Sequence, residues 1–376
     1  MPVPTFLRGL LRTTPTLAPI HNRSILSVSG SQATEFLNGL LASSLSARPC
    51  FSAFLHAQGR VLYDVFVYTQ PAAIAGHDSY LIEHDASPSE APALLTLLKR
   101  YVLRSKVRIR DVSAEYDVWA AWGSEAEGGT AKREWDFARS GAVEPVWRDV
   151  EAEKWPWGTE HGVLNDSRAC RMGKRMLVAK GGRPQEASTH DIESSDAYLL
   201  HRIMHGVPEG SIDIQPMQAF PMESNLDLMG GLDFRKGCYV GQELTVRTYH
   251  TGAVRKRILP VIVSSNGNGQ STPQHPSAPV PPHLSIRPSV LENLADPSAP
   301  RVPRPRGTGT LLSTVPSPTH GVSVGLGLLR LEQVEAAEKG SIEFTVEMAG
   351  ANEQKEALRV QHWWPDWWPT QDATQP

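Results

Sequence analysis

The segment Arg235-Lys236-Gly237-Cys238-Tyr239-Val240-Gly241-Gln242-Glu243 places a cysteine directly after a glycine and two cations. A second glycine follows three residues later, so the segment predicts an exposed turn that holds a thiol in positive surroundings. Nearby cations stabilise the thiolate, which is the nucleophilic and metal-binding form of cysteine. We therefore interpret Cys238 as a functional thiol; the alternative is a small hydrophobic residue in a tight turn.

Cys238 does not form a complete metal site with other residues near it in the sequence. The other two cysteines, Cys50 and Cys170, are distant and form no C-x-x-C pair. An iron–sulfur cluster takes about four ligands, so if the chain takes part in iron–sulfur chemistry, Cys238 would supply one ligand of a transient, shared cluster or would touch a partner that supplies the others. A thiol hydrolase would need a positioned base, and no histidine is marked out by its spacing. His201 and His205 lack a third ligand, and we interpret them as structural.

The composition excludes several classes of protein. Hydrophobic residues make up 40% and charged residues 20% of the chain, as in soluble globular proteins. The net charge of -3 argues against nucleic acid as a partner. No apolar run approaches the roughly 18 residues of a membrane-spanning helix. Three widely spaced cysteines suit a reducing compartment.

Residues 1–20 have the composition of a mitochondrial presequence. They contain Arg8 and Arg12 and no acidic residue, since the first acid of the chain is Glu35. Their apolar side chains fall on one helical face, which is typical of a transit peptide. The alternative is a frayed N-terminus. We expect this segment to lie outside the folded protein and to direct it to the mitochondrial matrix.

The rest of the sequence predicts two α+β units and a β-rich domain. Residues 21–113, together with 190–250, read as helix, hairpin, strand, helix and strand, which favours an α+β domain with a largely antiparallel sheet. Residues 114–189 predict a second α+β unit. Residues 251–376 predict a β-rich C-terminal domain, interrupted at 264–307 by a proline-rich insertion that we expect to be disordered.

Two acidic residues stand in unusual surroundings. Asp64 lies in the otherwise apolar strand 61–68, and Glu223 lies in the irregular stretch 221–227. A buried acid needs a partner, and a pterin ring would present two donors to a carboxylate. Alternatively, Asp64 lies on the solvent face of an edge strand and Glu223 caps a turn. Cations such as Arg247 would neutralise a polyanionic ligand or an acidic partner, or would simply be solvated.

Residues 236–243 resemble the K-G-C-[FY]-x-G-Q-E signature of the YgfZ-type, folate-binding proteins, which are related to the T-protein of the glycine cleavage system. The similarity continues through 58–64, 98–111, 205–209, 221–227 and 325–330, so that it covers most of the chain. The resemblance implies an α+β, T-protein-like fold. Two ferredoxin-like α+β units and a C-terminal β-barrel domain would surround a central cavity.

The resemblance also implies a function. The chain would be a mitochondrial factor that matures [4Fe-4S] proteins, with aconitase-type and radical-SAM lipoate or biotin synthase-type enzymes as clients. A-type iron–sulfur carriers would be its partners, and Cys238 would be its signature thiol.

A tetrahydrofolate site is implied by the same resemblance. Its predicted contacts are Tyr63, Asp64, Glu223, Asn225, Lys236, Gln242 and Arg247. Among them, Glu223 matches the pterin-binding glutamate of the T-protein. Only one acid of the T-protein's acidic pair is present at 63–64, and Gln242 stands where the enzyme has an arginine. We therefore expect folate binding to be retained more readily than catalysis. A tetrahydrofolate-dependent one-carbon transferase is the alternative function.

Overall fold

The computed structural model describes residues 1–46, 48–71, 76–124, 133–147, 155–265, 279–291, 307–349 and 355–369. Its strands are β1 Thr16–Ile20, β2 Arg23–Gly30, β3 Cys50–Leu55, β4 Val61–Thr69, β5 Asp78–Asp85, β6 Arg108–Asp111, β7 Tyr116–Trp122, β8 Arg133–Phe137, β9 Val143–Trp147, β10 Val163–Asn165, β11 Lys174–Ala179, β12 Asp191–Ile192, β13 Lys256–Ser265, β14 Ser285–Val290, β15 Gly309–Pro316, β16 Ser323–Arg330, β17 Ile342–Ala349 and β18 Lys355–His362. Its α-helices are α1 Ala33–Asn38, α2 Leu94–Val102, α3 Ser195–Met204, α4 Gly210–Asp213, α5 Gln242–Thr251 and α6 Leu331–Glu338.

The chain forms two compact units. The two-sheet unit comprises Arg12–Tyr198 and Glu209–Val254. The barrel unit comprises Met1–Leu11, Leu199–Pro208 and Arg255–Trp368. In the described part of the chain, no helix has the length and apolar character needed to cross a membrane.

The first sheet of the two-sheet unit is antiparallel, with the strand order β3-β4-β5-β2-β6. Within this sheet, β2 comes first in the sequence and β6 comes last. Strand β2 therefore lies between β5 and β6, as in a ferredoxin-like split βαβ unit. Val65 and Val67 of β4 face a core that also contains Phe36 and Leu37 of α1 and Leu98 of α2. The alternate residues of β4 face the opposite side because successive side chains of a strand point to opposite faces.

The second sheet has the order β10-β11-β7-β1-β12. Strand β1 pairs with β7 along its whole length, from Thr16↔Trp122 to Ile20↔Val118. The expectation that residues 1–20 lie outside the fold is therefore wrong, since Leu17 is completely buried. In the barrel unit, a 3₁₀ helix at Thr5–Leu10 likewise buries Leu7 and Leu10. The apolar pattern that resembles a targeting helix supplies core side chains instead.

The barrel unit contains a closed barrel of six strands in the order β13-β16-β15-β14-β17-β18, which confirms the predicted β-barrel. Strand β14 lies within 264–307, so the prediction of disorder is wrong for residues 285–290. Its Ile286 is completely buried. Only residues 285 and 286 of β14 pair with β15, whereas Pro288 pairs with Phe344 of β17 alone. A proline is tolerated there because, among the described residues, no second strand pairs with Pro288 and needs its missing N–H. Residues 266–278 and 292–306 of the predicted insertion lie outside the described residues.

The segment Leu199–Pro208 belongs to the barrel unit, whereas the sequence placed it with 190–250 in the first α+β domain. Ile203 and Met204 are buried with Ile258 and Trp363 in one apolar cluster. Gly206 follows with φ +67°, and a Cβ at this position would meet the Pro365 side chain at 2.7 Å. The close packing of this helix end explains the assignment to the barrel unit.

A network of buried charges joins the two sheets of the two-sheet unit. Glu83 on β5 accepts from Arg23 Nε at 2.6 Å and from Arg175 Nη2 at 2.5 Å. Arg175, on β11 of the other sheet, also donates through Nη1 to Glu209 at 3.0 Å. Burial would raise the pKa of Glu83, but Arg175 and Arg23 lower it to about 2. Glu83 is therefore ionised at neutral pH.

Aromatic rings and a second arginine complete this network. Arg168 Nη2 lies 2.8 Å from Glu209 and 2.6 Å from Asp166. The guanidinium carbons of Arg175 and Arg168 lie 4.0 Å and 4.6 Å from the centroid of the Phe66 ring. A cation over an aromatic face gains electrostatic attraction, most strongly where water is excluded. Phe66 thus fixes β4 against the charges that join the sheets.

We predict that Glu83→Gln destabilises the protein by about 3–5 kcal/mol, because the buried Arg23 and Arg175 lose the carboxylate that they share and keep only the ion pairs with Glu209. Urea unfolding measures the change. The control is Lys180→Gln, which removes the exposed ion pair Lys180–Asp117 and should alter stability by less than about 1 kcal/mol. Equal effects in the two variants would contradict a special role of the buried network.

We predict a loss of stability in mild acid that originates at His84. Burial lowers the pKa of His84 from its ordinary value of 6.5 to about 4. As the pH falls, this histidine is therefore protonated in the unfolded chain before it is protonated in the folded chain. The stability that neutral His84 contributes is present above about pH 6.5 and is lost as the pH falls towards about 4. The slope reaches at most about 1.4 kcal/mol per pH unit.

Urea unfolding at a series of pH values across this window tests the assignment. His84→Asn should flatten the slope, whereas the same change at the exposed His250 should leave it intact. An unchanged slope in His84→Asn would show that another group causes the acid sensitivity.

Candidate functional site

Cys238 lies at the surface, on the loop that precedes helix α5. Of the three cysteines, Cys238 and Cys170 are exposed and Cys50 is buried. Burial raises the pKa of the Cys50 thiol to about 12, so that this cysteine is neutral and unreactive. The exposed turn predicted around Cys238 is present in the structure.

Lys236 fixes the start of the Cys238 loop. Its Nζ donates to the carbonyl oxygens of Asn38 at 2.9 Å, Leu41 at 2.6 Å and Ser43 at 3.1 Å. These carbonyls follow α1, where a cation is favourable because the carbonyls at a helix C-terminus lack partners within the helix. Burial lowers the pKa of Lys236 to about 8. An ammonium group has three hydrogens, so Lys236 holds the loop with all of them.

Gly241 fixes the end of the same loop. It has φ +83°, and a Cβ at this position would meet the carbonyl oxygen of His56 at 2.3 Å. Gly59 lies opposite, in the turn between β3 and β4, where an added Cβ would meet Leu244 at 2.5 Å and the Gly241 carbonyl oxygen at 3.1 Å. Only residues without a side chain allow this approach. The motifs at 58–64 and 236–243 therefore pack directly against each other.

Gln242 closes the loop as the first residue of α5. Its Oε1 accepts from the backbone N–H of Tyr239 at 3.2 Å, and its own N–H donates to the Tyr239 carbonyl at 3.3 Å. Val240 N–H donates to the Gly39 carbonyl at 3.2 Å. Arg247, one and a half turns further along the helix, is exposed. Cys238 is thus presented by a loop whose two ends are anchored to neighbouring elements.

Asp64 is buried on the side of β4 that faces the charge network. Both of its carboxylate oxygens lie 3.2 Å from the backbone N–H of Gly210, at the start of α4. Burial raises the pKa of Asp64, and the nearby Arg23 opposes this shift. The alternative that Asp64 lies on a solvent-exposed edge strand is wrong, since β4 lies between β3 and β5. Tyr63 OH donates to the Pro92 carbonyl at 3.0 Å.

Glu223 and Asn225 lie in the irregular stretch before the Cys238 loop. Glu223 is half-buried, and Asn225 is completely buried with φ +62°. Asparagine adopts this left-handed conformation more readily than most residues. Its carbonyl accepts from Met229 N–H at 2.9 Å, so it shapes a turn. The structure therefore groups Lys236, Cys238 and Gln242 on one loop and places the other predicted contacts on β4, this stretch and α5.

Within the described residues, no group of three or more histidine, cysteine or acidic side chains is arranged to hold a metal ion. His201 and His205 belong to the barrel unit, where their ring centroids lie 4.7 Å apart in an edge-to-face arrangement.

The buried charges of Glu83, Arg175, Arg168 and Glu209 were not predicted from the sequence. A signal for Glu83 was present, because it follows Tyr80-Leu81-Ile82 in a predicted strand and a buried acid requires a partner. Its partners come from a distant part of the chain, so no local spacing identifies them.

The fold defines the protein's structural class. The structure aligns with glycine cleavage system aminomethyltransferase T from Bartonella henselae at a TM-score of 0.56 and 15% identity, over 94% of this chain and 86% of that chain. The T-protein-like fold predicted from the sequence is thereby confirmed. A family model described as the CAF17 C-terminal beta-barrel domain matches residues 255–370.

Sequence relatives narrow the class to one family. A protein of Cryptococcus neoformans is 41% identical over 85% of both chains. Relatives in Phaeosphaeria nodorum and Mycosarcoma maydis are 37% and 32% identical over 88% and 94% of this chain, and over 76% and 85% of their own lengths. Each is named "Iron-sulfur cluster assembly factor IBA57 homolog, mitochondrial". The chain belongs to this family of mitochondrial iron–sulfur cluster assembly factors.

We predict that Gly241→Ala destabilises the protein by more than about 1–2 kcal/mol. An alanine in the left-handed conformation costs this much, and contact with the His56 carbonyl adds to it. The control is Gly237→Ala in the same loop, where nothing lies within 4 Å of an added Cβ. Urea unfolding of both variants checks the prediction. Equal stabilities would refute close packing at Gly241.

Proposed function

We propose that this protein matures [4Fe-4S] proteins in the mitochondrial matrix by offering Cys238 as one ligand of a cluster that a partner also binds. The observation that carries the proposal is the exposed thiol on a doubly anchored loop. Membership of an iron–sulfur assembly family supports the general role. A fixed thiol suits transfer because a partner meets it in one geometry without first ordering the loop.

The partner follows from the missing ligands. A cluster takes about four ligands, and the described residues contain no set of three. An A-type carrier would supply the others, and aconitase-type and radical-SAM lipoate or biotin synthase-type enzymes would receive the cluster. The cluster is cargo in this scheme, so loose binding at Cys238 is an advantage for release.

The predicted tetrahydrofolate contacts fit a folate only in part. Lys236 and Gln242 direct polar atoms at their own chain, and Asp64 is buried against Gly210 N–H. In a folate complex, the half-buried Glu223 would meet the pterin and the exposed Arg247 would meet the glutamate tail. No folate-dependent step follows from this arrangement. The alternative one-carbon transferase needs an acid beside the folate amine, and Asp64 already has a structural partner.

We predict that Cys238→Ser weakens cluster retention in the complex with an A-type carrier by more than about tenfold, because even indirect partners of a metal ligand alter affinity that much. Anaerobic titration with the cluster-loaded carrier, read by visible absorption and gel filtration, measures retention. The control is Cys170→Ser, which removes the other exposed thiol.

Two results would contradict the proposal. One is a Cys238→Ser protein that retains cluster as well as Cys170→Ser does. The other is normal [4Fe-4S] enzyme activity in cells whose only copy of the protein carries Cys238→Ser. Tetrahydrofolate turnover with a one-carbon donor, measured in the same preparations, would support the transferase instead.

A further inference from the structure

A strongly basic segment lies in the two-sheet unit, outside the Cys238 loop. Residues 91–110 contain no acidic residue and six cations, which are Lys99, Arg100, Arg104, Lys106, Arg108 and Arg110. The other 31 lysines and arginines face 40 acidic residues, so the rest of the chain carries a charge of -9. All six cations are exposed. Such a concentration of charge requires an explanation in a chain that is acidic elsewhere.

Three of these cations form a stripe: Arg108 and Arg110 lie on the edge strand β6, and Lys106 lies two residues before it. Strand β6 ends the order β3-β4-β5-β2-β6, and β2 is its only strand partner among the described residues. Lys106, Arg108 and Arg110 are exposed, whereas Val107 and Ile109 pack against the core. Alternate residues of a strand are about 7 Å apart on one face. Arg108 and Arg110 therefore present two charges at this spacing, and Lys106 adds a third just before the strand.

The backbone of β6 is oriented to accept a further strand. Val112 N–H donates to the Ile25 carbonyl at 2.9 Å, and the same register pairs Arg110 with Ser27 and Arg108 with Ser29. Hydrogen-bonded and non-hydrogen-bonded pairs alternate in an antiparallel ladder. The backbones of Arg108 and Arg110 thus face β2, and that of Ile109 faces the open edge. An added strand would meet both arginines in non-hydrogen-bonded pairs, where side chains are closest.

An exposed leucine precedes the stripe. Leu103 follows helix α2, has φ 43° and ψ -104°, and is 87% exposed. A positive φ is rare for a bulky residue, and strained backbone conformations concentrate at functional sites. The stripe is therefore bordered in the chain by an apolar side chain that a partner can cover.

We propose that the basic edge, defined as residues 103–110, binds an acidic, extended segment of a partner protein as an additional strand beside β6. Carboxylates at alternate positions of that segment would lie opposite Arg108 and Arg110, a further carboxylate would lie near Lys106, and an apolar residue would cover Leu103. A second copy of this chain does not fit, because antiparallel pairing of two such edges would bring cations together. This surface is separate from Cys238. A failure of peptide binding would therefore leave the cluster proposal intact, and a failure of the cluster experiment would leave this proposal intact.

The test uses the full chain and a short fluorescent peptide in which glutamate alternates with valine. The triple variant Lys106→Glu, Arg108→Glu, Arg110→Glu should weaken binding at least about tenfold, because opposite-charge cross-strand pairs become like-charge pairs. The matched control carries Arg139→Glu, Arg183→Glu and Arg359→Glu, which change the net charge equally at exposed positions elsewhere. Its binding should change by less than about twofold at physiological salt.

Two further measurements make the outcome decisive. Peptide binding should slow hydrogen exchange at the Ile109 amide, and unchanged unfolding curves should show that both triple variants are folded. Equal weakening in the two variants, or equal binding of a peptide whose valines are replaced by prolines, would overturn the strand addition. Tighter binding of a single-stranded oligonucleotide or of cardiolipin-containing vesicles would also overturn it, because the basic edge would then serve another class of ligand.

Discussion

The ion pairs of Glu83 with Arg23 and Arg175 are the constraint on which the two-sheet unit depends. They join β2, β5 and β11, so a single buried carboxylate holds strands of both sheets. Buried charges are tolerated only when they are paired and hydrogen-bonded. The ring of Phe66 on β4 lies under the guanidinium groups of Arg168 and Arg175. This contact fixes the position of β4 beside the buried charges.

The position of the thiol depends on that strand. The turn that precedes β4 carries Gly59, which packs against Gly241 at the end of the Cys238 loop. Lys236 ties the other end of the loop to the residues after α1. The exposed thiol is therefore linked to the interior of the unit at both ends of its loop, by the Lys236 side chain and by the approach of Gly241 to Gly59.

Several features of the fold could be predicted from the sequence because local patterns determine them. The strand at 61–68 with its β-branched and aromatic residues, the strands of the C-terminal barrel and the exposed Gly-Cys turn are of this kind. Two predictions failed because the composition of each segment is compatible with two different structures. The acid-poor, leucine-containing N-terminus resembles a targeting helix, yet Leu7 and Leu17 are buried. The proline-rich stretch suggests disorder, yet Ile286 fills the barrel core.

The sequence by itself determined the reactive group and its setting, because one continuous motif contains Cys238, the two cations that precede it and the glycines that flank it. It also determined the family resemblance through that motif. The tertiary structure alone decided what the neighbouring charges do. Lys236 turns its three hydrogens towards backbone carbonyls, and Asp64 meets Gly210 instead of solvent. Those partners lie roughly 150 to 200 residues away in the chain, and only folding brings them within hydrogen-bonding distance.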